Sequence, residues 1–354
     1  MTKLQDLFTE CGQSPWLDVL SRDNIRGGEL QAMIDRGIRG VTSNPSIFEK
    51  AISGSTLYDD DIATLKTQGS SVDDAYWDLV MTDIQAAADL FADLHKASGG
   101  SDGFVSVEID PRLADETDAQ VDAGKSMFAR ANRPNVMIKV PATAAGVPVI
   151  EELLAAGVNV NVTLIFGLPR YAEVLNAWKR GLERAAAQGL PAPHSVGSFF
   201  VSRVDTEVDM RLEAIGTPDA LALRGKVAVA QAQAAYQQFL AFCHDAPRPL
   251  QRPLWASTST KNPAYSDLLY VDTLIGRDTV NTLPEATIEA FADHGTVRRT
   301  VDGDVAEAQG ILTAVENVGV DMDDVADVLE RQGVKQFADA HEKLLAALTP
   351  KLKA

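Results

Sequence analysis

Short apolar runs alternate with amphipathic stretches along almost the whole chain. The runs are rich in β-branched and aromatic residues and predict eight strands, at 16–20, 40–43, 103–109, 136–140, 158–166, 196–202, 253–257 and 278–283. Between them, apolar positions recur with helical spacing, as at 73–97, 115–131, 144–156, 168–188 and 217–243. Strands that alternate with helices indicate a parallel sheet covered by helices. Eight such units predict an α/β fold of the (β/α)8 TIM-barrel type.

A doubly wound open sheet is the competing architecture. Such a sheet usually has a glycine-rich turn after an early strand, GxGxxG or GxxxxGK[ST], and the chain contains neither. No linker or change of composition divides the chain, so residues 1–354 are expected to form one barrel domain. Helical patterns at 304–317 and 322–347 follow the eighth strand. Residues from about 300 to 354 are therefore expected to form a helical extension packed on the barrel exterior.

Polar residues recur on one parity of the predicted strands, near their C-terminal ends. In a barrel, alternate strand residues point inward, and chemistry occurs at the C-terminal ends. Lys139 stands inside the apolar run VMIKV, although lysine is rarely buried unless it is paired or used. The other polar residues of this set are Asp18, Thr42, Asn44, Glu108, Asn159, Asn161, Thr163, Ser198, Ser202 and Ser257.

Each of these residues also has a structural explanation when it is taken alone. Asp18 is able to cap a turn, Asn44 to start one before Pro45, and Glu108 to be a surface residue of an alternating strand. Lys139 is able to form a structural ion pair, and buried Asn and Thr side chains usually satisfy hydrogen bonds. Their shared parity favours one common site over many independent explanations.

A buried lysine next to carboxylates is suited to Schiff-base chemistry. Burial lowers the pKa of a lysine amine and frees its lone pair, which then attacks a ketone. The protonated imine accepts electrons when a neighbouring carbon–carbon bond breaks, and a carboxylate moves the protons. The residues therefore indicate an aldolase that needs no metal.

Composition limits the partners and the cofactors. The net charge of -18 and the pI of about 4.7 argue against nucleic acid, and an anionic substrate would need a local cationic pocket. Cys11 and Cys243 are far apart, and the five histidines show no metal-binding spacing, so no metal or cofactor is expected. Residues 1–16 lack a secretory pattern, and no apolar stretch approaches the roughly 20 residues of a membrane span. We expect a cytoplasmic protein without a membrane partner.

Five motifs make the chain resemble transaldolases over residues 16–345. They are GVTSNPSIF (40–48), VSVEID (105–110), VMIKVPAT (136–143), GVNVNVTLIF (157–166) and SFFVSRVD (198–205). Each motif alone is moderately specific, whereas all five in this order are very specific. The resemblance implies a barrel that moves a dihydroxyacetone unit from sedoheptulose 7-phosphate to glyceraldehyde 3-phosphate. The products would be erythrose 4-phosphate and fructose 6-phosphate, within the pentose phosphate pathway.

The resemblance also implies a role for each candidate residue. Lys139 would be the Schiff-base lysine, and Glu108 would hold a catalytic water that Thr163 positions. Asp18 would be the acid/base at the hydroxyl next to the breaking bond. The residues implied in substrate binding are Thr42, Asn44, Asn161 and Ser198 near the three-carbon unit, and Arg203 with Ser257 at the phosphate. Sugar phosphates would be the partners, and we expect a monomer or homodimer.

The chain departs from the family pattern after the seventh strand. The family's best-known members have ASFRN there, whereas this chain reads WASTSTKNP and places Lys261 before Asn262. Lysine lacks the paired donors of arginine, so Lys261 is a candidate for a second, weaker phosphate contact. Each phosphate-binding role has an alternative. Arg203 could pair only with Asp205, and Lys261 could be a solvated loop residue.

Two other functions remain open from the sequence. A fructose 6-phosphate aldolase would release free dihydroxyacetone, but such relatives have Gln where this chain has Glu108, and Tyr where it has Phe200. They are also much shorter. A non-catalytic sugar-phosphate sensor would have lost Lys139 or Glu108, and both residues are present.

Overall fold

Eight parallel strands close into a barrel in the computed structural model, which describes residues 2–353. The strands are β1 (Gln13–Leu17), β2 (Gly40–Thr42), β3 (Phe104–Glu108), β4 (Val136–Pro141), β5 (Val160–Ile165), β6 (Ser195–Phe200), β7 (Gln251–Ala256) and β8 (Thr279–Leu283). Each strand pairs with the next one along the chain, and β8 pairs with β1. The predicted TIM barrel is therefore confirmed.

Helices surround the barrel and connect its strands. They are α1 (Lys3–Cys11), α2 (Arg22–Gly27), α3 (Glu29–Arg36), α4 (Pro45–Gly54), α5 (Asp59–Gln68), α6 (Val72–Leu90), α7 (Ala92–Ala97), α8 (Thr117–Ala131), α9 (Gly146–Ala155), α10 (Leu168–Ala187), α11 (Ser202–Ile215), α12 (Pro218–Leu221), α13 (Val227–Cys243), α14 (Leu269–Asp272), α15 (Glu285–His294), α16 (Val305–Asn317) and α17 (Met322–Lys353). Short 3-10 helices cover Thr56–Tyr58 and Pro111–Leu113.

The first strand begins three residues earlier than the predicted 16–20. The strand starts with a polar residue, Gln13, that is buried in the barrel. Its amide compensates for burial by donating to the Leu274 carbonyl at 2.8 Å and to Thr279 Oγ1 at 2.9 Å. Asp18 therefore follows the C-terminal end of β1. Ser202, which was expected to share a face of β6, begins α11 instead.

A charged cluster closes the N-terminal end of the barrel. The fully buried Asp102 carboxylate accepts hydrogen bonds from Ser14 Oγ at 2.7 Å and Arg39 Nε at 2.8 Å, and Arg252 Nη2 lies 3.1 Å away. Trp16 Nε1 donates to the same carboxylate at 3.3 Å. Burial opposes ionisation of Asp102, but Arg252 and Arg39 outweigh it and hold the pKa below its ordinary value. One carboxylate thus connects the starts of β1, β2 and β7.

The sequence suggested that the C-terminal helices pack only on the barrel exterior. The structure shows that α17 has additional contacts. It packs against α4, α5, α6 and α11, and it also reaches β5 at the C-terminal end of the barrel. Gly333 permits this approach, because a Cβ atom there would lie 2.8 Å from Leu164 Cδ2. The assignment of residues 1–354 to one domain remains a prediction. Within residues 2–353, no helix has the length and apolarity needed to cross a membrane.

We predict that Asp102→Asn lowers the free energy of unfolding by about 3–5 kcal/mol, because it leaves the cations of Arg39 and Arg252 without their buried partner. Denaturant unfolding at pH 7 measures the loss. The same ion pairs imply that wild-type stability falls as the pH drops through the depressed pKa of Asp102, since stability from a carboxylate with a lowered pKa is present above that value. Asp293→Asn, on an exposed carboxylate, is the control, and equal stability of both variants would contradict this role.

Candidate active site

A cleft of about 680 Å³ opens at the C-terminal end of the barrel. Its walls come from the ends of the strands and from the helices that follow them. Nine of the predicted site residues line it: Asp18, Thr42, Asn44, Lys139, Thr163, Ser198, Arg203, Ser257 and Lys261. Glu108 and Asn161 do not line the cleft itself.

Lys139 and Glu108 form a buried ion pair at the floor of the cleft. The two residues are register partners on β3 and β4, and Lys139 Nζ lies 3.1 Å from Glu108 Oε2. Lys139 Nζ also donates to the Ser43 carbonyl at 3.0 Å. Glu108 is only 6% exposed, so the alternative of a surface position is wrong. Burial raises the pKa of Glu108, the Lys139 cation opposes this rise, and the charge of Asp18 adds to it.

Asp18 enters the cleft from the turn after β1. Its Oδ1 accepts a hydrogen bond from Thr42 Oγ1 at 2.8 Å, and Thr42 Oγ1 lies 2.7 Å from Thr282 Oγ1. Burial raises the pKa of Asp18, while the Thr42 hydrogen bond and the Lys139 cation partly offset that rise. Two carboxyl groups with raised pKa values thus face one lysine, an arrangement suited to proton transfer near neutral pH.

Thr163 lines the same cleft as Lys139 and lies at an irregular point of β5. The register between β5 and β6 shifts between Val162 and Ile165, and Leu164 adopts a left-handed backbone with φ 60°. Such bulges re-aim side chains near active sites. Thr163 Oγ1 is buried and has no hydrogen-bond partner among residues 2–353, so its hydroxyl is available to a ligand or a water.

Asn161 is fully buried and does not line the cleft. Its Nδ2 donates to Ser106 Oγ at 3.0 Å, and its Oδ1 accepts from Ser198 Oγ at 2.7 Å. The role of Asn161 in ligand binding stays a prediction, because each polar group of this fully buried side chain has one partner and the capacity for another. Asn44, by contrast, lines the cleft while its Oδ1 caps α4 by accepting from the Ile47 amide at 3.0 Å.

Three cations line the outer part of the cleft: Lys50, Arg203 and Lys261. None of them forms an ion pair with another residue in the described part of the chain. Arg203 Nη1 donates to Gln336 Oε1 at 2.9 Å, and Lys261 Nζ donates to Ser259 Oγ at 2.6 Å. In a chain with a net charge of -18, this grouping is suited to an anionic ligand such as a phosphate.

Backbone contacts bring Arg203 and Ser257 to the same wall. The Ser202 amide donates to the Ser257 carbonyl at 3.0 Å, and the two hydroxyl oxygens are 2.9 Å apart. Ser257 holds a left-handed backbone with φ 56°. Asp205 accepts from the Ala228 amide and from Tyr270 Oη, both at 2.8 Å, so the alternative of an Arg203–Asp205 pair is wrong.

The comparison with protein families agrees with this geometry. The model described as "Transaldolase/Fructose-6-phosphate aldolase" matches residues 15–348. The chain belongs to the transaldolase/fructose-6-phosphate aldolase family. The predicted resemblance is confirmed.

Curated relatives match almost the whole chain. Transaldolase 1 of Streptomyces coelicolor is 50% identical over 357 residues, which cover 98% of this chain and 94% of that protein. Transaldolase of Frankia alni is 46% identical over 358 residues and covers 98% of this chain and 96% of its own length. Transaldolase of Mycobacterium tuberculosis H37Rv is 46% identical over 351 residues and covers 96% of this chain and 94% of its own length.

Sequence reasoning missed several residues that line or support the cleft. Thr282 has the parity and the strand-end position of the predicted set, so the same rule applied to β8 would have found it. Lys50, Gln336 and Phe337 lie on α4 and α17, where helical amphipathicity says nothing about which turn meets a barrel mouth. These positions depend on how the helices pack.

One further cluster lies outside the cleft. Asp73, Asp110 and His341 bring ligand atoms within 4.8 Å of one another, but the Arg112 guanidinium donates to both carboxylates. An arginine therefore already supplies the positive charge that a metal ion would provide. The absence of a metal requirement remains a prediction.

We predict that Lys139→Met raises the pKa of Glu108 further, because the variant removes the cation that stabilises the buried carboxylate. Carbon-detected NMR titration of glutamate carboxyl groups measures the change. Lys261→Met is the matched control, since its amine lies at the outer part of the cleft. A lower or unchanged pKa of Glu108 in Lys139→Met would contradict the ion pair.

Proposed function

We propose that the chain is a transaldolase that transfers a dihydroxyacetone unit from sedoheptulose 7-phosphate to glyceraldehyde 3-phosphate. The observation that carries the proposal is the buried Lys139–Glu108 pair at the floor of a cleft with unpaired cations near its opening. A lysine there is able to form a Schiff base while the cations hold a phosphate at the far end of the sugar. The relatives named transaldolase support this choice.

The first step needs a neutral amine, and the ion pair provides a route to it. At 3.1 Å, the Lys139 ammonium is close enough to pass a proton to Glu108, whose raised pKa favours acceptance. The amine then attacks the ketone carbon of the donor, and loss of water gives the imine. Glu108 returns protons through a water held by Thr163 Oγ1, which is free of other partners in the described structure.

Cleavage uses the other carboxyl group. Asp18 accepts the proton of the hydroxyl next to the breaking bond, and the electrons of that carbon–carbon bond move into the imine. An aldehyde leaves, and a three-carbon enamine stays on Lys139. The acceptor aldehyde then forms a new bond to this carbon while Asp18 returns the proton to its oxygen. Hydrolysis of the new imine releases the product and restores Lys139.

Substrate contacts follow from the walls of the cleft. Asn44, Thr42 and Ser198 lie near Lys139 and orient the hydroxyls of the three-carbon unit. Asn161 positions Ser198 through its 2.7 Å hydrogen bond. Arg203 and Ser257 bind the phosphate, and Lys261 adds a second cation where the family pattern has arginine. We expect this enzyme to be cytoplasmic, monomeric or homodimeric, and independent of a cofactor.

Two residues favour the transferase over the aldolase of the same family. This chain has Glu108 and Phe200 at the positions where the fructose 6-phosphate aldolases have Gln and Tyr. Phe200 lines the cleft, and its ring lies 5.4 Å from the Arg203 guanidinium carbon.

We predict that borohydride with fructose 6-phosphate inactivates the enzyme irreversibly and modifies Lys139 alone, because only an imine at this lysine is reducible. Peptide mapping by mass spectrometry identifies the site, with Lys125 and Lys261 as internal controls. An adduct elsewhere, or no adduct, would contradict the Schiff-base mechanism. Free dihydroxyacetone formed without acceptor at the rate of transfer would identify an aldolase instead.

We predict that Arg203→Ala raises KM for fructose 6-phosphate more than Lys261→Ala does, because a guanidinium offers paired donors to phosphate whereas an ammonium is a single point charge. Steady-state kinetics at fixed ionic strength measures both values. Borohydride trapping at saturating substrate should persist in both variants, since the imine forms at the other end of the sugar. Unchanged KM in Lys261→Ala would assign the second phosphate contact to another residue, with Lys50 the next candidate.

A further inference from the structure

The C-terminal helix α17 places the ring of Phe337 next to the catalytic lysine, and this ring is called the roof below. Phe337 lines the cleft, is only 6% exposed, and its ring centroid lies 5.8 Å from Lys139 Nζ. An aromatic ring at about 6 Å or less attracts a cation, and the protonated imine carries its charge at this nitrogen. Phe337 is therefore placed to stabilise the imine and to exclude solvent from it.

Two contacts hold this part of α17 in place. Gly333, one turn before Phe337, lets the helix approach Leu164 on the irregular part of β5. Gln336, next to Phe337, accepts a hydrogen bond from Arg203 Nη1 at 2.9 Å. The roof is thus connected both to the strand that carries Thr163 and to the residue proposed to bind phosphate.

Phe337 lines two spaces of very different size. One is the cleft of about 680 Å³, which Lys139 also lines. The other is a cavity of about 10 Å³, whose lining includes Glu108, Leu164, Val334 and Phe337. A single water needs roughly 10–15 Å³, so the space beside Glu108 has room for about one water molecule. The ring of Phe337 thus borders a space that limits the water beside the proton-transfer carboxylate to about one molecule.

This limit bears on the fate of the three-carbon enamine. Attack on an acceptor aldehyde forms a carbon–carbon bond, and this is the transfer reaction. Alternatively, the enamine takes a proton at carbon, and one water then adds to the imine carbon; the Lys139 amine leaves and free dihydroxyacetone forms. Both routes end in hydrolysis of an imine, but only the second requires protonation of the enamine carbon, and exclusion of bulk water as a proton source suppresses that step.

We propose that Phe337 sets the partition between transfer and hydrolysis by closing the imine on Lys139 off from bulk water. The inference rests on the transaldolase activity proposed above. Phe337 is then a specificity-determining residue on a helix that is remote in sequence from every predicted catalytic residue.

The test compares wild type with Phe337→Ala and Phe337→Leu. Fructose 6-phosphate is the donor, and release of free dihydroxyacetone is measured without acceptor, while transfer is measured with erythrose 4-phosphate. We expect Phe337→Ala to raise the ratio of release to transfer about tenfold, which corresponds to about 1.4 kcal/mol in relative barrier height. Phe337→Leu should raise it less, because leucine still fills part of the roof.

Leu344→Ala is the matched control, because Leu344 is fully buried on the same helix seven residues later and does not line the cleft. We expect it to lower Tm and to leave the ratio unchanged. A ratio within twofold of wild type in both Phe337 variants would overturn the inference, and so would an equal rise in Leu344→Ala. If Phe337→Ala does not fold, Phe337→Leu decides.

The proposed function fails separately from this inference. Absence of both borohydride trapping and transfer in the wild-type enzyme would overturn the transaldolase assignment and this inference with it. Wild-type trapping and transfer, together with an unchanged partition in the Phe337 variants, would overturn only the role of the roof.

Discussion

The contact between Lys139 and Glu108 is the constraint on which the rest of the site depends. Neither charge is favourable inside a barrel by itself, because burial penalises an ammonium and a carboxylate alike. Placed on neighbouring strands in register, the two groups compensate each other at 3.1 Å. The compensation is incomplete, since the pKa of Glu108 remains raised. That residual cost is useful, because it makes proton exchange between the pair accessible.

The barrel separates stability from chemistry along its axis. At the N-terminal end, the Asp102 carboxylate accepts hydrogen bonds from Arg39, Arg252, Ser14 and Trp16. These bonds stabilise the contacts between the strands. At the C-terminal end, Thr163 Oγ1 is buried without a hydrogen-bond partner among residues 2–353. Polar groups that are satisfied rigidify a fold, whereas polar groups left without partners are available to a substrate or a water.

The C-terminal helix completes the site from outside the barrel. The strand ends supply the reactive groups, but α17 supplies a ring near the lysine and a hydrogen-bond acceptor for Arg203. A (β/α)8 barrel leaves its C-terminal end open to solvent unless loops or added helices cover it. Here one added helix places Phe337 near Lys139 Nζ, while Lys50 and Lys261 line the cleft from other elements.

Local sequence patterns were sufficient to predict the fold class and most of the candidate site residues on the strands. Alternation with a period of two marks the inward face of a strand, so Lys139, Glu108, Thr163 and Ser198 were predictable as one group once the barrel was inferred. The family motifs then gave each residue a role. The bounds of β1 were misjudged because Gln13 and Ser14 look exposed in sequence, whereas partners on distant elements satisfy them inside the barrel.

Only the tertiary structure decided which polar residues face the cleft and what covers it. Asn161 has the correct parity but is occupied by Ser106 and Ser198, and strand periodicity carries no information about such partners. Phe337 lies 198 positions after Lys139 in the chain, and its place beside the amine depends on the close packing of Gly333 on Leu164. Periodicity reports the face that a residue presents, whereas contacts between distant elements follow from the packing of the whole barrel.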